Sequence, residues 1–148
     1  MKILAENKKA YYNYDILEKF EAGMVLIGQE VKSLKTRGVN LAGTYATMKK
    51  EELFWLGAKI PPYQPKNAPS DYDPERSRKL LLKKKEINYL IGKTKQRGLT
   101  LIPTKVYTIK GKIKLEFGLA KGKRGVDKRE KIRKRETERE MARDSKNL

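Results

Sequence analysis

Residues 121–148 offer no apolar face on which to fold. Their apolar side chains are Val126, Ile132, Met141, Ala142 and Leu148. At 100° per residue, Ile132 and Met141 fall on opposite sides of a helix, so no stripe exists to dock the segment on a core. Its residues are helix formers all the same, with no Pro, and no Gly after Gly125. Lys131, Arg135, Arg139 and Arg143 recur at i+4 beside a parallel row of Glu136, Glu140 and Asp144. The pattern predicts a basic tail, residues 126–148, that is disordered when free and becomes helical when a polyanion supplies the missing partner. Composition alone equally suits a solubilising terminus. Either way, the core must come from the first 120 residues, about one domain's worth.

Those 120 residues read as short strands separated by turn signals. A first strand is expected from Tyr14 to Glu21 and a second from Met24 to Ile27, with Gly23 as the turn between them. Glu30 to Thr36 reads as a short helix ended by Gly38. Thr44–Lys49 and Leu53–Ala58 form a predicted hairpin around Glu51-Glu52. Pro61, Pro62, Pro65 and Pro69 then mark a surface loop, because proline cannot sit in a central strand. Asp73-Pro74 has the form of a helix start, an N-cap acceptor followed by Pro at N1, and predicts a helical segment from Glu75 to Lys93 that breaks or bends near Lys83-Lys84-Lys85 and is closed by Gly98. Leu99–Thr108 and Lys112–Leu119 alternate at period two around Lys110-Gly111, a second hairpin. Six or so strands with helices between them favour a mainly β fold with flanking helices, a small closed OB-like β-barrel over residues 1–125 that leaves no free edge.

Charge narrows the function. The chain carries 36 Lys plus Arg against 18 Asp plus Glu, a net +18; residues 1–120 hold +12 of it and the last 28 residues +6. Such an excess pulls on nucleic acid and on anionic membranes. The tail, however, lacks the aromatic or aliphatic wedge of a membrane binder, and no apolar run approaches the roughly 18–20 residues of a membrane span. Met1–Glu6 is too short and polar for a signal peptide, so the expectation is a soluble, cytoplasmic protein.

Enzymatic readings find little support. No Cys and no His are present, which removes thiol chemistry, the usual neutral-pH general base and the commonest metal ligand. Glu51-Glu52 sits at a hairpin tip, where hydration accounts for it. Gly122-Lys123-Arg124-Gly125 lacks the spacing of a phosphate-cradling loop. The expectation is therefore a binding protein, not an enzyme, with neither cofactor nor metal.

Basic residues gather at Lys8-Lys9, at Lys32/Lys35/Arg37, at Arg76/Arg78/Lys79 with Lys83-Lys84-Lys85, and at Lys121/Lys123/Arg124. Each alone suits a solvated face; four on one small barrel point to RNA. Tyr11, Tyr12 and Tyr14 follow directly on Lys8-Lys9, where aromatic rings can stack on unpaired bases.

Five ordered segments carry a resemblance. They are Asn7-Lys8-Lys9-Ala10, Phe20-Glu21-Ala22-Gly23, Gly28-Gln29-Glu30-Val31-Lys32-Ser33-Leu34, Asp73-Pro74 with Arg78-Lys79-Leu80-Leu81-Leu82, and Ala120-Lys121-Gly122-Lys123 with Asp127-Lys128-Arg129. Together they resemble the small protein B family, the partners of transfer-messenger RNA in bacterial ribosome rescue. Tyr12 stands where a His is common, and Lys35 where an Arg is common.

The resemblance implies an OB-like barrel that binds the tRNA-like part of that RNA and stands in for the codon–anticodon half it lacks. RNA-contact positions fall on Asn7, Glu21, Leu81 and Gly122, with Lys8, Lys9, Lys32, Lys35, Lys123 and Arg124 supplying backbone contacts. Glu21 is the exception to the charge pattern, because a carboxylate repels phosphate; it either accepts from a base donor or braces the Ala22-Gly23 turn. Leu81 packs on a sugar or base face, or in the core. The tail, through Asp127, Lys128, Arg129, Lys131, Arg135, Arg139 and Arg143, is implied to lie along the empty messenger channel of a stalled ribosome. The implied protein is a monomer that acts alongside the elongation factor delivering aminoacyl-tRNA. The alternative is a constitutive ribosomal or translation-factor protein of the same barrel class.

Overall fold

The structure is a computed structural model in which residues 1–123 are described. Its strands are β1 (Lys2–Glu6), β2 (Tyr14–Met24), β3 (Tyr45–Lys49), β4 (Glu52–Leu56), β5 (Arg78–Leu81), β6 (Leu99–Ile109) and β7 (Lys112–Gly122). Three helices, α1 (Lys8–Asn13), α2 (Gly28–Arg37) and α3 (Lys84–Thr94), fall between them, with one 3₁₀ turn at Pro65–Asn67 in the proline-rich loop.

The strand order is β1-β6-β3-β4-β5-β2-β7, and β7 pairs back onto β6, so six strands close into a ring. Strand β6 serves two neighbours along one edge: β3 meets it at Ala46↔Leu101, and β1 runs beside its later half from Glu6↔Lys105 to Lys2↔Thr108. Inside the ring Leu53, Trp55, Leu80, Leu101, Leu115, Phe117 and Leu119 are buried together with Leu34 of α2 and Leu90 of α3. The expected mainly β barrel with flanking helices is therefore present.

Local chemistry explains the joints. Both tight hairpins are two-residue turns with positive φ at both positions: Lys50 at 51° and Glu51 at 64°, then Lys110 at 51° and Gly111 at 80°. That geometry matches the right-handed twist of the flanking strands. The first turn thus sits one residue earlier than Glu51-Glu52. Helix α2 ends where Gly38 adopts φ 70°, and a Cβ there would stand 2.7 Å from the Leu4 carbonyl oxygen, so the close approach of β1 needs a glycine.

Three expectations are corrected. Strand β2 does not turn at Gly23; it runs straight through, because Gly23 pairs with Leu81 on one side and Lys114 on the other. Met24 closes that strand and the chain reaches α2 without a second one, Val25 donating its N–H to the Lys79 carbonyl at 3.0 Å. Asp73-Pro74 starts no helix. The Asp73 carboxylate accepts from the Glu75 N–H at 2.9 Å and the Asp73 carbonyl accepts from the Arg76 N–H at 3.2 Å, which makes a single turn. Arg78 and Leu80 then point inward at period two as strand β5, leaving Ile87, Leu90 and Ile91 to the shorter α3. Finally, β1 and α1 go beyond the expected elements: the N-terminal residues are too few and too polar to signal a strand, yet β6 supplies them with a pairing edge.

One buried ionic cluster ties these parts. Glu30, on α2, is fully buried and accepts from Arg76 Nη2 at 2.6 Å, from Arg78 Nε at 2.9 Å and from the Ile27 N–H at 3.0 Å. Arg78, also fully buried, donates onward to the carbonyls of Ala58 at 2.7 Å and Pro74 at 2.9 Å. Burial pushes the Glu30 carboxyl up, but the two guanidinium groups and the Ile27 N–H outweigh it and hold it below the ordinary glutamate value. A group whose folded-state pKa is lowered stabilises the fold at pH values above its unfolded-state value, and that stability is lost as acid passes through the lowered one. Urea unfolding should therefore give constant stability from pH 7 to about 4.5 and a decline below it. Glu30→Ala, which leaves the buried Arg78 guanidinium without its carboxylate, should cost about 3–5 kcal/mol in the same assay.

Candidate nucleic-acid interface

The residues singled out in the sequence gather in three places. The first is the end of the barrel where α1 docks. Ala10 is buried against Ile102 and Ala120, with Tyr14 and Ile16 beside them, so this helix covers the outer face of β6 and β7. Lys8 and Lys9 stand exposed on it. Asn7 is only 8% exposed. Its side-chain amide donates to the Pro103 carbonyl at 3.0 Å and its N–H to Thr104 at 2.8 Å, at the bulge that lets β6 accommodate Pro103. Gly122 lies opposite Tyr14 at the end of β7. A cleft of about 520 Å³ opens between α1 and the start of β3, with Asn7, Lys9 and Asn13 on one wall and Thr44 and the exposed ring of Tyr45 on the other.

Lys123 belongs to this group but is engaged within the protein. Its ammonium donates to the Tyr11 carbonyl at 2.7 Å and its N–H to that of Asn13 at 3.1 Å, which fastens the chain leaving β7 to the last turn of α1. Lys19 sits over the Tyr11 ring, 5.1 Å from its centroid, a cation–π contact.

The second group lies further along β2. Gly23 stands nine steps along the strand from Tyr14, at most about 30 Å at 3.3 Å per residue. Here Glu21 is exposed on the strand, and Leu81 of β5 is 49% exposed beside Gly23. Leu81 is therefore a surface residue and not part of the core; Leu80 fills that role. A cleft of about 350 Å³ has Gly23, Met24, Val31, Leu81 and Ile113 on its walls, with Lys112 and Lys114 beside them. Glu21 accepts a hydrogen bond from the hydroxyl of Tyr107, a buried residue of β6 that sequence reasoning did not distinguish from the other tyrosines. Burial and the neighbouring Glu21 carboxylate push the Tyr107 phenol well above its ordinary pKa, so it stays a donor.

The third group is α2, where Lys32 and Lys35 are exposed. Lys35 reaches across to the Gly111 carbonyl at 3.1 Å and so braces the β6–β7 turn; a lysine suffices for this single acceptor, with no need for the fork of an arginine. Arg124 and the tail positions Asp127, Lys128, Arg129, Lys131, Arg135, Arg139 and Arg143 lie outside the described residues. Among the described residues no group of three acidic side chains is placed to hold a metal ion, and no helix is long and apolar enough to cross a membrane.

A closed barrel with basic side chains on its helices and strand ends is the architecture of the OB-like class. The family model for the SmpB protein matches residues 4–147, and the chain belongs to that family. It is 52% identical over 142 residues to the SsrA-binding protein of Syntrophobacter fumaroxidans, covering 96% of this chain and 88% of the relative. It is 51% identical to that of Thermosipho africanus, covering 95% of each. A solved structure described as "tmRNA-SmpB: a journey to the center of the bacterial ribosome" contains a chain 44% identical to this one, with a TM-score of 0.67 over 87% of this chain and 94% of that one.

The tether at Lys123 has a measurable consequence. Lys123→Ala should loosen α1 by about 1 kcal/mol, the usual net worth of a hydrogen bond. Amide exchange at Lys8–Asn13 should then quicken about fivefold, with β6 and β7 unchanged.

Proposed function

We propose that this protein binds the tRNA-like part of transfer-messenger RNA and delivers it to stalled ribosomes for trans-translation. The observation that carries the reading is the extent of the family match, which spans the barrel and runs through the basic residues after it. Proteins named for binding SsrA RNA share about half their residues with this one over nearly its whole length.

The division of labour follows the chemistry. The barrel, residues 1–125, takes the RNA. Lys8, Lys9 and Lys32 have exposed ammonium groups suited to phosphates, joined by Arg124, and such contacts set affinity and register rather than sequence choice. Lys35 and Lys123 hold the surface in shape and add positive field. Asn7, Glu21, Leu81 and Gly122 meet the RNA at two places up to about 30 Å apart on β2, a span suited to a folded RNA and too long for a single nucleotide. Residues 126–148 probe the messenger channel: an occupied channel excludes them, and an empty one lets them become helical against ribosomal RNA. The protein works in the cytoplasm as a monomer without catalytic activity, alongside the elongation factor that delivers aminoacyl-tRNA.

Cutting the chain after Gly125 tests the division. RNA affinity should fall less than about threefold, while peptide tagging on stalled ribosomes should be lost; a large loss of RNA affinity would contradict separable roles. Not all 18 net charges are phosphate contacts. With about 6–10 such contacts, the plot of log K against log salt should have a slope between about −5 and −9.

A further inference from the structure

Glu21 is an exposed carboxylate on a protein whose excess charge is positive, and it is held by a side chain that is almost entirely buried. Tyr107, 5% exposed, belongs to β6, whereas Glu21 belongs to β2, and β7 lies between them. Tyr107 stands opposite Lys114 and Glu21 opposite Glu116, so the phenol crosses β7 between those two residues to reach the carboxylate. The facing acid is engaged elsewhere: Glu116 accepts from the Thr104 hydroxyl at 2.7 Å and lies opposite Lys105.

A free surface glutamate samples many rotamers; this one is fixed. A carboxylate offers about four lone-pair sites, and the phenol takes one of them. Two residues along β2 lies Gly23, with the Lys114 ammonium over it, and beside it half-exposed Leu81, on the wall of the cleft that Lys112 and Lys114 border. An acceptor pair with an apolar shelf next to it suits a neutral planar group that carries two adjacent donors. Phosphate is repelled. An arginine fork also has two donors, but Lys19 stands two residues before Glu21 on β2, Lys105 opposite Glu116 and Lys114 opposite Gly23, and this positive field disfavours a cationic partner. Among RNA bases, adenine and cytosine place an acceptor next to the amino group, and uracil flanks its single N–H with carbonyl oxygens. Guanine alone offers neighbouring N1–H and N2–H donors on an edge that is open in unpaired RNA.

We propose that Tyr107 is a positioning residue for Glu21, and that the pair reads the Watson–Crick edge of one unpaired guanine. The proposal rests on the RNA-binding reading above and names the base that this surface takes. The test uses the full chain, fluorescence anisotropy at fixed low salt, and two labelled pentamers, UUGUU and its inosine counterpart UUIUU, which lacks the 2-amino donor. The wild type should bind the guanine pentamer about tenfold more tightly. Glu21→Gln, an exposed substitution that leaves the core intact, should bring the two affinities within about twofold. Tyr107→Phe should reduce the preference to below about threefold, and Tyr107→Phe added to Glu21→Gln should cost no further binding. A tyrosine that acts only through packing would weaken both pentamers equally, and again in the Glu21→Gln background. Equal binding of the two pentamers by the wild type overturns the inference, as does an undiminished preference in Tyr107→Phe. If selective binding to the tRNA-like RNA persists under either result, the functional reading stands and only the guanine assignment falls.

Discussion

Strand β7 is the constraint on which the rest depends. It pairs with β2 from Tyr14↔Gly122 to Gly23↔Lys114 and with β6 from Leu99↔Lys121 to Ile109↔Lys112, so eleven residues close the ring on both edges. Because successive side chains alternate between faces, one register decides two surfaces. Ile113, Leu115, Phe117 and Leu119 are delivered to the core, while Lys112, Lys114 and Glu116 go to the outside. A slip of one residue would turn the core outward. It would also part Tyr107 from Glu21. Gly118 shows how closely the ribbon packs, since a Cβ there would stand 2.6 Å from an Ile16 methyl.

The ionic cluster at Glu30 has a different task. It joins α2 to the loop that ends in Pro74 and to β5, which no apolar contact could orient as sharply. A buried carboxylate and the buried Arg78 guanidinium are costly to desolvate, and the geometry compensates with the half-buried Arg76 and with hydrogen bonds to Ile27, Ala58 and Pro74. Through β5 the same cluster sets Leu81 beside Gly23, so a structural ion pair fixes part of the surface proposed for RNA.

How much of this was legible in the sequence depended on range. The hairpins around Lys50-Glu51 and Lys110-Gly111, and the helix ended by Gly38, are local: period, turn residues and a C-terminal glycine suffice. The helix expected from Asp73-Pro74 failed because a local cap signal was weaker than Glu30, 48 residues away, which draws Arg78 into a strand. Strand β1 needed the edge of β6, about a hundred residues on. Glu21 was legible as an oddity, an acid where phosphate was expected, but its partner Tyr107 lies 86 residues later and carries no local mark. Likewise, nothing in the sequence distinguished Lys35 and Lys123, which brace backbone carbonyls, from Lys8 and Lys9, which do not. The uneven charge was readable throughout, although of the basic residues in 121–148 only Lys121 and Lys123 fall within the described part.

The most direct test of the account is to recover the full chain from cells of its host and sequence the RNA bound to it after a wash at moderate salt. The account predicts strong enrichment of one RNA that ends in a tRNA-like fold, with ribosomal RNA present only where stalled ribosomes are trapped. Uniform recovery of ribosomal RNA from every small subunit, with no such RNA enriched, would contradict it and favour a constitutive ribosomal protein built on the same barrel.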